Sequence, residues 1–71
     1  PQGLIVTELY QGGPGDRAGL REGDVITAID GAEVNDQSGL NFRVGTKSPN
    51  EVVAVTVMRD GRTQTINARV Q

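Results

Sequence analysis

The sequence predicts a small α+β domain. Its sheet is mostly antiparallel, in the manner of a β-sandwich or partial barrel, and is capped by one short and one longer helix. Two stretches carry the sheet. Glu51 to Arg59 (EVVAVTVMR) and Thr63 to Val70 (TQTINARV) alternate in hydropathy on either side of Asp60-Gly61, a dipeptide favoured in two-residue hairpin turns. The longer helix is carried by Gln37 to Thr46, which follows the cap-type residues Asn35 and Asp36. Its Leu40 and Val44, four residues apart, define one core-facing side.

The remaining elements follow in chain order. Gly3 to Tyr10 (GLIVTELY) is rich in β-branched and large apolar residues and reads as a strand. Gln11 to Gly15 (QGGPG) breaks it. One helical turn fits Asp16 to Leu20, with Asp16 accepting from free N–H groups at its start and Gly19 ending it in a left-handed conformation. Glu22-Gly23-Asp24 turns into a second strand, Val25 to Ile29, closed by Asp30-Gly31. Ala32-Glu33-Val34 is at most a short extension. Within Glu51 to Arg59, Val53, Val55 and Val57 share one face. In the last strand Gln64, Ile66, Ala68 and Val70 face one way and Thr63, Thr65, Asn67 and Arg69 the other. No linker, repeat or low-complexity tract interrupts the 71 residues, a length that fits one small domain or a piece of one. A domain of this size buries only about 60% of its unfolded surface, so its stability is marginal.

Composition excludes several classes of function. Lys and Arg number 7 against 9 Asp and Glu, a net charge of −2, which is not the basic footprint of a nucleic-acid binder. Leu, Ile, Val and Phe make up a quarter of the chain, enough for a packed core. There is no His, and so no Ser-His-Asp triad or HExxH zinc helix. There is no Cys, and so no thiol nucleophile, thiolate metal site or disulfide. No apolar run approaches the roughly 20 residues of a membrane span. Pro1-Gln2-Gly3 has neither a charged leader region nor a cleavage site, and reads as a chain cut from something longer.

The local motifs are structural. Gly12-Gly13-Pro14-Gly15 has neither phosphate-loop nor dinucleotide-loop spacing and reads as a turn. Asp16, Glu22, Asp24, Asp30, Glu33 and Asp36 are dense but lack the register of a calcium loop, and each suits a cap, turn or solvated face. Ser38 and Ser48 have no base to activate them; Lys47, the single lysine, sits by a helix end. The chain is read as non-catalytic, with no cofactor and no metal. The 37–46 helix is more informative. With Leu40 and Val44 facing inward, Gly39, Phe42, Arg43 and Thr46 fall together on the far side at about 100° per residue. Phe42 is the sole Phe. It lies either at the rim of the core or, with Arg43, on the wall of a peptide groove.

At Gly13 to Val34 the sequence GPGDRAGLREGDVITAIDGAEV resembles the PDZ-domain phrase G-S-P-A-x-x-A-G-L-x-x-G-D-x-I-x-x-I-N-G. Pro14, Ala18, Gly19, Leu20, Gly23, Asp24, Ile26, Ile29 and Gly31 fall in place. Gly19 and Gly23 permit the required backbone, Leu20 plugs the core and Asp24 holds the turn by accepting backbone bonds. The following LNFRVGTKSPNEVVAVTVMRDGRTQTINARV is similar to the helix, strand and hairpin of bacterial PDZ domains, in particular those of HtrA (DegP-like) extracytoplasmic serine proteases. The resemblance covers essentially the whole chain. Gly15 and Asp16 depart from it, standing where small alanines are common.

The resemblance implies a single PDZ domain over residues 1–71. It would lack the N-terminal carboxylate-binding loop and the strand that follows it, both of which precede the strand matching Gly3 to Tyr10. Gly3-Leu4-Ile5-Val6 is superficially like that loop, but its spacing to Pro14 fits the later strand. It further implies a non-catalytic module of a periplasmic or envelope serine protease. Such a module would bind C-terminal or unfolded apolar peptide segments by strand addition, presenting substrate or regulating the protease. Gly39, Phe42, Arg43 and Thr46 would form the groove wall. The partners would be such peptides and the protease domain of the same parent chain, with oligomers formed through the parent. Two alternatives stay open: a PDZ module of a C-terminal processing protease, intramembrane metalloprotease or secretion component, and a self-association module using an open sheet edge.

Overall fold

Three valines at alternate positions build the centre of the sheet. A computed structural model describes residues 3–70, and in it β4 (Val52–Arg59) places Val53, Val55 and Val57 on one buried face. β5 (Arg62–Arg69) pairs antiparallel with β4 along its whole length, from Val52 opposite Arg69 to Arg59 opposite Arg62. The turn between them takes left-handed φ at Asp60 (52°) and Gly61 (76°), as a two-residue hairpin requires. On its other side β4 pairs with β2 (Val25–Ile29), and β2 pairs with β1 (Leu4–Ile5). The sheet order is β1-β2-β4-β5, open at both ends, with β3 (Ala32–Glu33) folded back on β2. The α+β class read from the sequence is the class observed.

β2 contains a bulge that decides its burial. Ile26 faces Val57 and Ala28 faces Thr56, so Thr27 is an extra residue opposite the regular ladder. In an even strand Ile26 and Ile29, three apart, would point to opposite faces. With the bulge, both enter the core, at 6% and 1% exposure. Thr27 Oγ1 donates to the Thr56 carbonyl at 3.3 Å, and its own carbonyl accepts from Val34 N at 2.9 Å. That bond draws Val34 into the core, where it is 1% exposed.

The first strand is shorter than the sequence suggests. Only Leu4 and Ile5 ladder with β2, and Val6 continues the pairing through bonds to Asp24 and Gly23. Beyond Val6 there is no partner strand among the described residues. β2 begins at Val25, and Gly23 (φ 95°) turns the preceding chain away. Thr7 to Tyr10 are therefore irregular, and Tyr10 is exposed. Gly3 is required at its end of the strand. A Cβ there would stand 2.6 Å from Val25 Cγ1 and 2.9 Å from the Ile26 carbonyl.

The short helix α1 (Pro14–Ala18) starts two residues earlier than Asp16 suggests, with Pro14 in the first turn and Gly13 as its cap. Asp16 accepts from Gly12 N at 2.8 Å, tying the preceding loop instead of capping the start. Gly19 closes the helix at φ 102°. The longer helix α2 (Gln37–Gly45) matches the sequence reading to within one residue.

One ion pair joins the pieces. Asp24 is 2% exposed, and Arg59 grips it bidentately, Nε to Oδ1 at 2.8 Å and Nη2 to Oδ2 at 2.6 Å. Arg59 Nη2 also donates to the Gly19 carbonyl at 2.9 Å, and Arg21 N donates to Asp24 Oδ2 at 2.9 Å. The Arg59 guanidinium holds the Asp24 carboxyl below its ordinary range. A carboxyl lowered by folding stabilises the fold fully above about pH 4, and the contribution is lost as pH falls through the lowered value. Asp24→Ala leaves a guanidinium at a nearly closed site without its partner, and is expected to cost about 3 kcal/mol. Urea denaturation of both proteins from pH 7 to pH 3 checks this. The variant should be less stable at pH 7, and the difference should narrow on the acid side.

Candidate functional site

α2 is anchored at its ends more than along its length. Asp36 Oδ1 caps the start by accepting from Gly39 N at 2.7 Å, and Gln37 Nε2 donates to Asn41 Oδ1 at 3.0 Å. At the other end Thr46 Oγ1 donates to the Arg43 carbonyl at 2.8 Å. Just past it, Lys47 pairs with Asp30 at 2.5 Å. Asp30 Oδ1 in turn accepts from Ala54 N at 2.8 Å, so this carboxylate ties the helix end to β4. The backbone bond from Ala54, followed by Lys47, lowers the Asp30 pKa, and Asp30 raises that of Lys47. Between these anchors no residue of α2 is buried.

The space beneath the helix is an apolar cleft of about 360 Å³. Leu40 and Val44 form its α2 wall, Ile29 and Val55 lie at its sheet side, and Ala68 of β5 and Val70 just past its end border it. Leu20, expected to plug the core, is half-buried and lines this cleft as well. An apolar concavity of this size accepts apolar side chains from an extended segment.

The four residues expected on the outer wall lie in different surroundings. Gly39 is half-buried and packs near Asp36 and Val34. Phe42 is 65% exposed, so it is not part of the core. The Arg43 guanidinium lies 5.8 Å from its ring centroid, within cation–π reach. Arg43 and Thr46 border a separate, smaller hollow of about 210 Å³, together with Asp30, Ala32 and Lys47. The structure thus joins Phe42 to Arg43 and Arg43 to Thr46, while the deeper cleft takes Leu40 and Val44 from the helix. Residues of other elements complete that cleft. Ala68 and Val70 were visible as the apolar side of the last strand; nothing in local periodicity links them to residue 40. The dense acids from 16 to 36 do not converge: Asp16, Asp24, Asp30 and Asp36 each hold a different loop, turn or cap.

Comparison with known proteins fits this architecture. The profile of the PDZ domain family matches residues 1–70. The chain belongs to the PDZ family. A curated relative from Rhizobium meliloti (strain 1021), named a probable periplasmic serine endoprotease DegP-like, is 38% identical over 68 residues. That match covers 96% of this chain and 14% of the relative, so the chain spans a small part of the proteins it matches. Among solved structures, the HtrA-type protease AlgW with decapeptide superposes with a TM-score of 0.86 at 33% identity, covering 94% of this chain and 21% of that one. The HtrA3 PDZ domain bound to a phage-derived ligand (FGRWV) superposes at 0.85 with 28% identity, covering 96% of this chain and 62% of that one. The PDZ domain is a non-catalytic module, homologous here to the PDZ regions of HtrA and DegP-like proteases.

The exposure of Phe42 separates the two readings of its role by experiment. Phe42→Ala is expected to move the melting temperature by no more than about 3 °C, as for a surface substitution. A loss of ten degrees or more in differential scanning calorimetry would mean that the ring supports the core.

Proposed function

We propose that this PDZ domain is the peptide-receiving module of an HtrA-like serine endopeptidase of the bacterial periplasm or cell envelope. It takes C-terminal or unfolded apolar segments in extended form and presents them to, or uses them to regulate, the protease domain of the same parent chain. The observation that carries this reading is the open apolar cleft under α2, roofed by a helix with no buried residue of its own. A core that needed nothing further would leave no such concavity beneath a helix. The open ends of the sheet supply unpaired backbone groups, and strand addition satisfies them. The HtrA-type protease AlgW is solved with a decapeptide and the HtrA3 PDZ domain with a phage-derived ligand, and the DegP-like relative is named periplasmic.

In this reading apolar side chains of the segment enter between α2 and the sheet, against Leu40 and Val44. Gly39, Phe42, Arg43 and Thr46 form the helix's outer wall, where Phe42 and Arg43 meet the part of the ligand that stays at the surface. Bond breaking belongs to the protease domain of the parent.

Titration of the ¹⁵N-labelled domain with short apolar peptides tests the reading. Amide shifts grouped on Gly39 to Thr46, together with Ala68 and Val70, are expected. A well-dispersed spectrum that no peptide perturbs would contradict it.

A further inference from the structure

From Asn35 to Lys47 the chain is tied to the rest of the molecule at few points. Among the described residues its hydrogen bonds stay within the segment, from the Asp36 cap to the Thr46 hydroxyl. One polar tie reaches outward, the pair of Lys47 Nζ with Asp30 Oδ2. The two halves of α2 are held differently. Leu40 packs against the buried core, while Val44, one turn later, lines the cleft. The last turn also has space on both sides. The cleft of about 360 Å³ lies under Val44, and the hollow of about 210 Å³ separates Arg43, Thr46 and Lys47 from the turn between β2 and β3. A helix end with few buried contacts takes its position from whatever tethers it.

The far end of this tether is fixed. Asp30 stands at φ 50° in the turn that closes β2, and its Oδ1 accepts from Ala54 N on β4 at 2.8 Å, which leaves Oδ2 to Lys47 at 2.5 Å. The PDZ phrase quoted above has Asn before the turn glycine, where this chain has Asp30. Asn makes the same kind of turn and offers a similar acceptor to Ala54. What Asp30 adds is the charge that holds Lys47.

We propose that the Asp30–Lys47 pair sets how far the last turn of α2 stands from the sheet, and thereby limits the size of the apolar side chain that the cleft admits. Asp30 and Lys47 are positioning residues in this role, acting through Val44. This rests on the peptide-binding reading above and adds to it a size preference. A bulky ring entering beside Val44 has to displace the helix end against the pair, whereas a valine enters with the pair intact. Both charged side chains are partly exposed, so the effect is modest and salt weakens it.

Calorimetry with two peptides tests this, Gln-Val-Gln-Val-Gln-Val and Gln-Phe-Gln-Phe-Gln-Phe, whose apolar side chains share one side of an extended chain. The readout is the affinity for the Phe peptide divided by that for the Val peptide. At low salt that ratio is expected to rise about threefold in Asp30→Asn and in Lys47→Met, to rise no further in the double variant, and to stay at the wild-type value in Lys47→Arg. ¹⁵N spectra confirm that the variants are folded. In about 1 M salt the wild-type ratio should equal that of the double variant, which checks the pair without relying on the single substitutions. A ratio unchanged in either single variant, with both peptides still bound, would overturn the proposal and leave peptide binding intact. That includes a parallel loss of both affinities, the mark of a helix merely loosened. A further rise in the double variant would also overturn it, because the two residues would then act separately. If neither peptide binds the wild-type domain, the peptide-binding reading fails, and this proposal fails with it.

Discussion

The carboxylate of Asp24 occupies a place where an unpaired charge could not remain. At 2% exposure it would cost several kcal/mol without a partner, in a domain whose total stability is of that order. Arg59 therefore has to arrive from the far end of β4, and in doing so it fixes much else. The same guanidinium holds the Gly19 carbonyl at the end of α1. The Asp24 backbone carbonyl accepts from Val6 N at 2.8 Å, which extends β1 beyond its ladder. The Asp24–Arg59 pair thus ties together the end of α1, the start of β2 and the end of β4.

The other end of the sheet is organised differently. There the bulge at Thr27 turns both isoleucines of β2 inward and draws in Val34, and α2 adds only the half-buried Leu40 against this core. The helix is held by a cap at Asp36 and by the exposed Lys47–Asp30 pair, with Leu40 and Val44 only half-buried between them. A core closed on one side of the sheet and a helix tethered at its ends leave the cleft between them open. The cleft is the consequence of that division, and in the proposed function it is where the ligand enters.

Much of this was legible in the sequence because it is local. Asp30-Gly31 and Asp60-Gly61 mark turns, the alternating valines mark β4, and Asn35-Asp36 marks the start of α2, since each signal lies within a few residues of its effect. The Gly13 to Val34 phrase carried the family for the same reason. What could not be read is what depends on distant partners. Asp24 and Arg59 are 35 residues apart, and no periodicity connects them. The bulge at Thr27 shows only in how Ile26 and Ala28 pair with Val57 and Thr56. Residues Thr7 to Tyr10 have strand composition and, among the described residues, no strand beside them, and composition cannot report a missing neighbour. The helix phase was readable from Leu40 and Val44, whereas the cleft they line depends on Ala68 and Val70, which reach it from the other end of the chain.

The central claim is that a sheet fixed by Asp24 and Arg59 carries a loosely held α2 above an open cleft. Native-state hydrogen exchange measures that difference directly. The amides of β4 and those bonded around Asp24, such as Val6 and Gly23, should exchange only through global unfolding, while those of α2 should exchange at least about a hundredfold faster through local opening. Protection of α2 equal to that of β4 would contradict the account, because it would mean that the helix belongs to the same cooperative core.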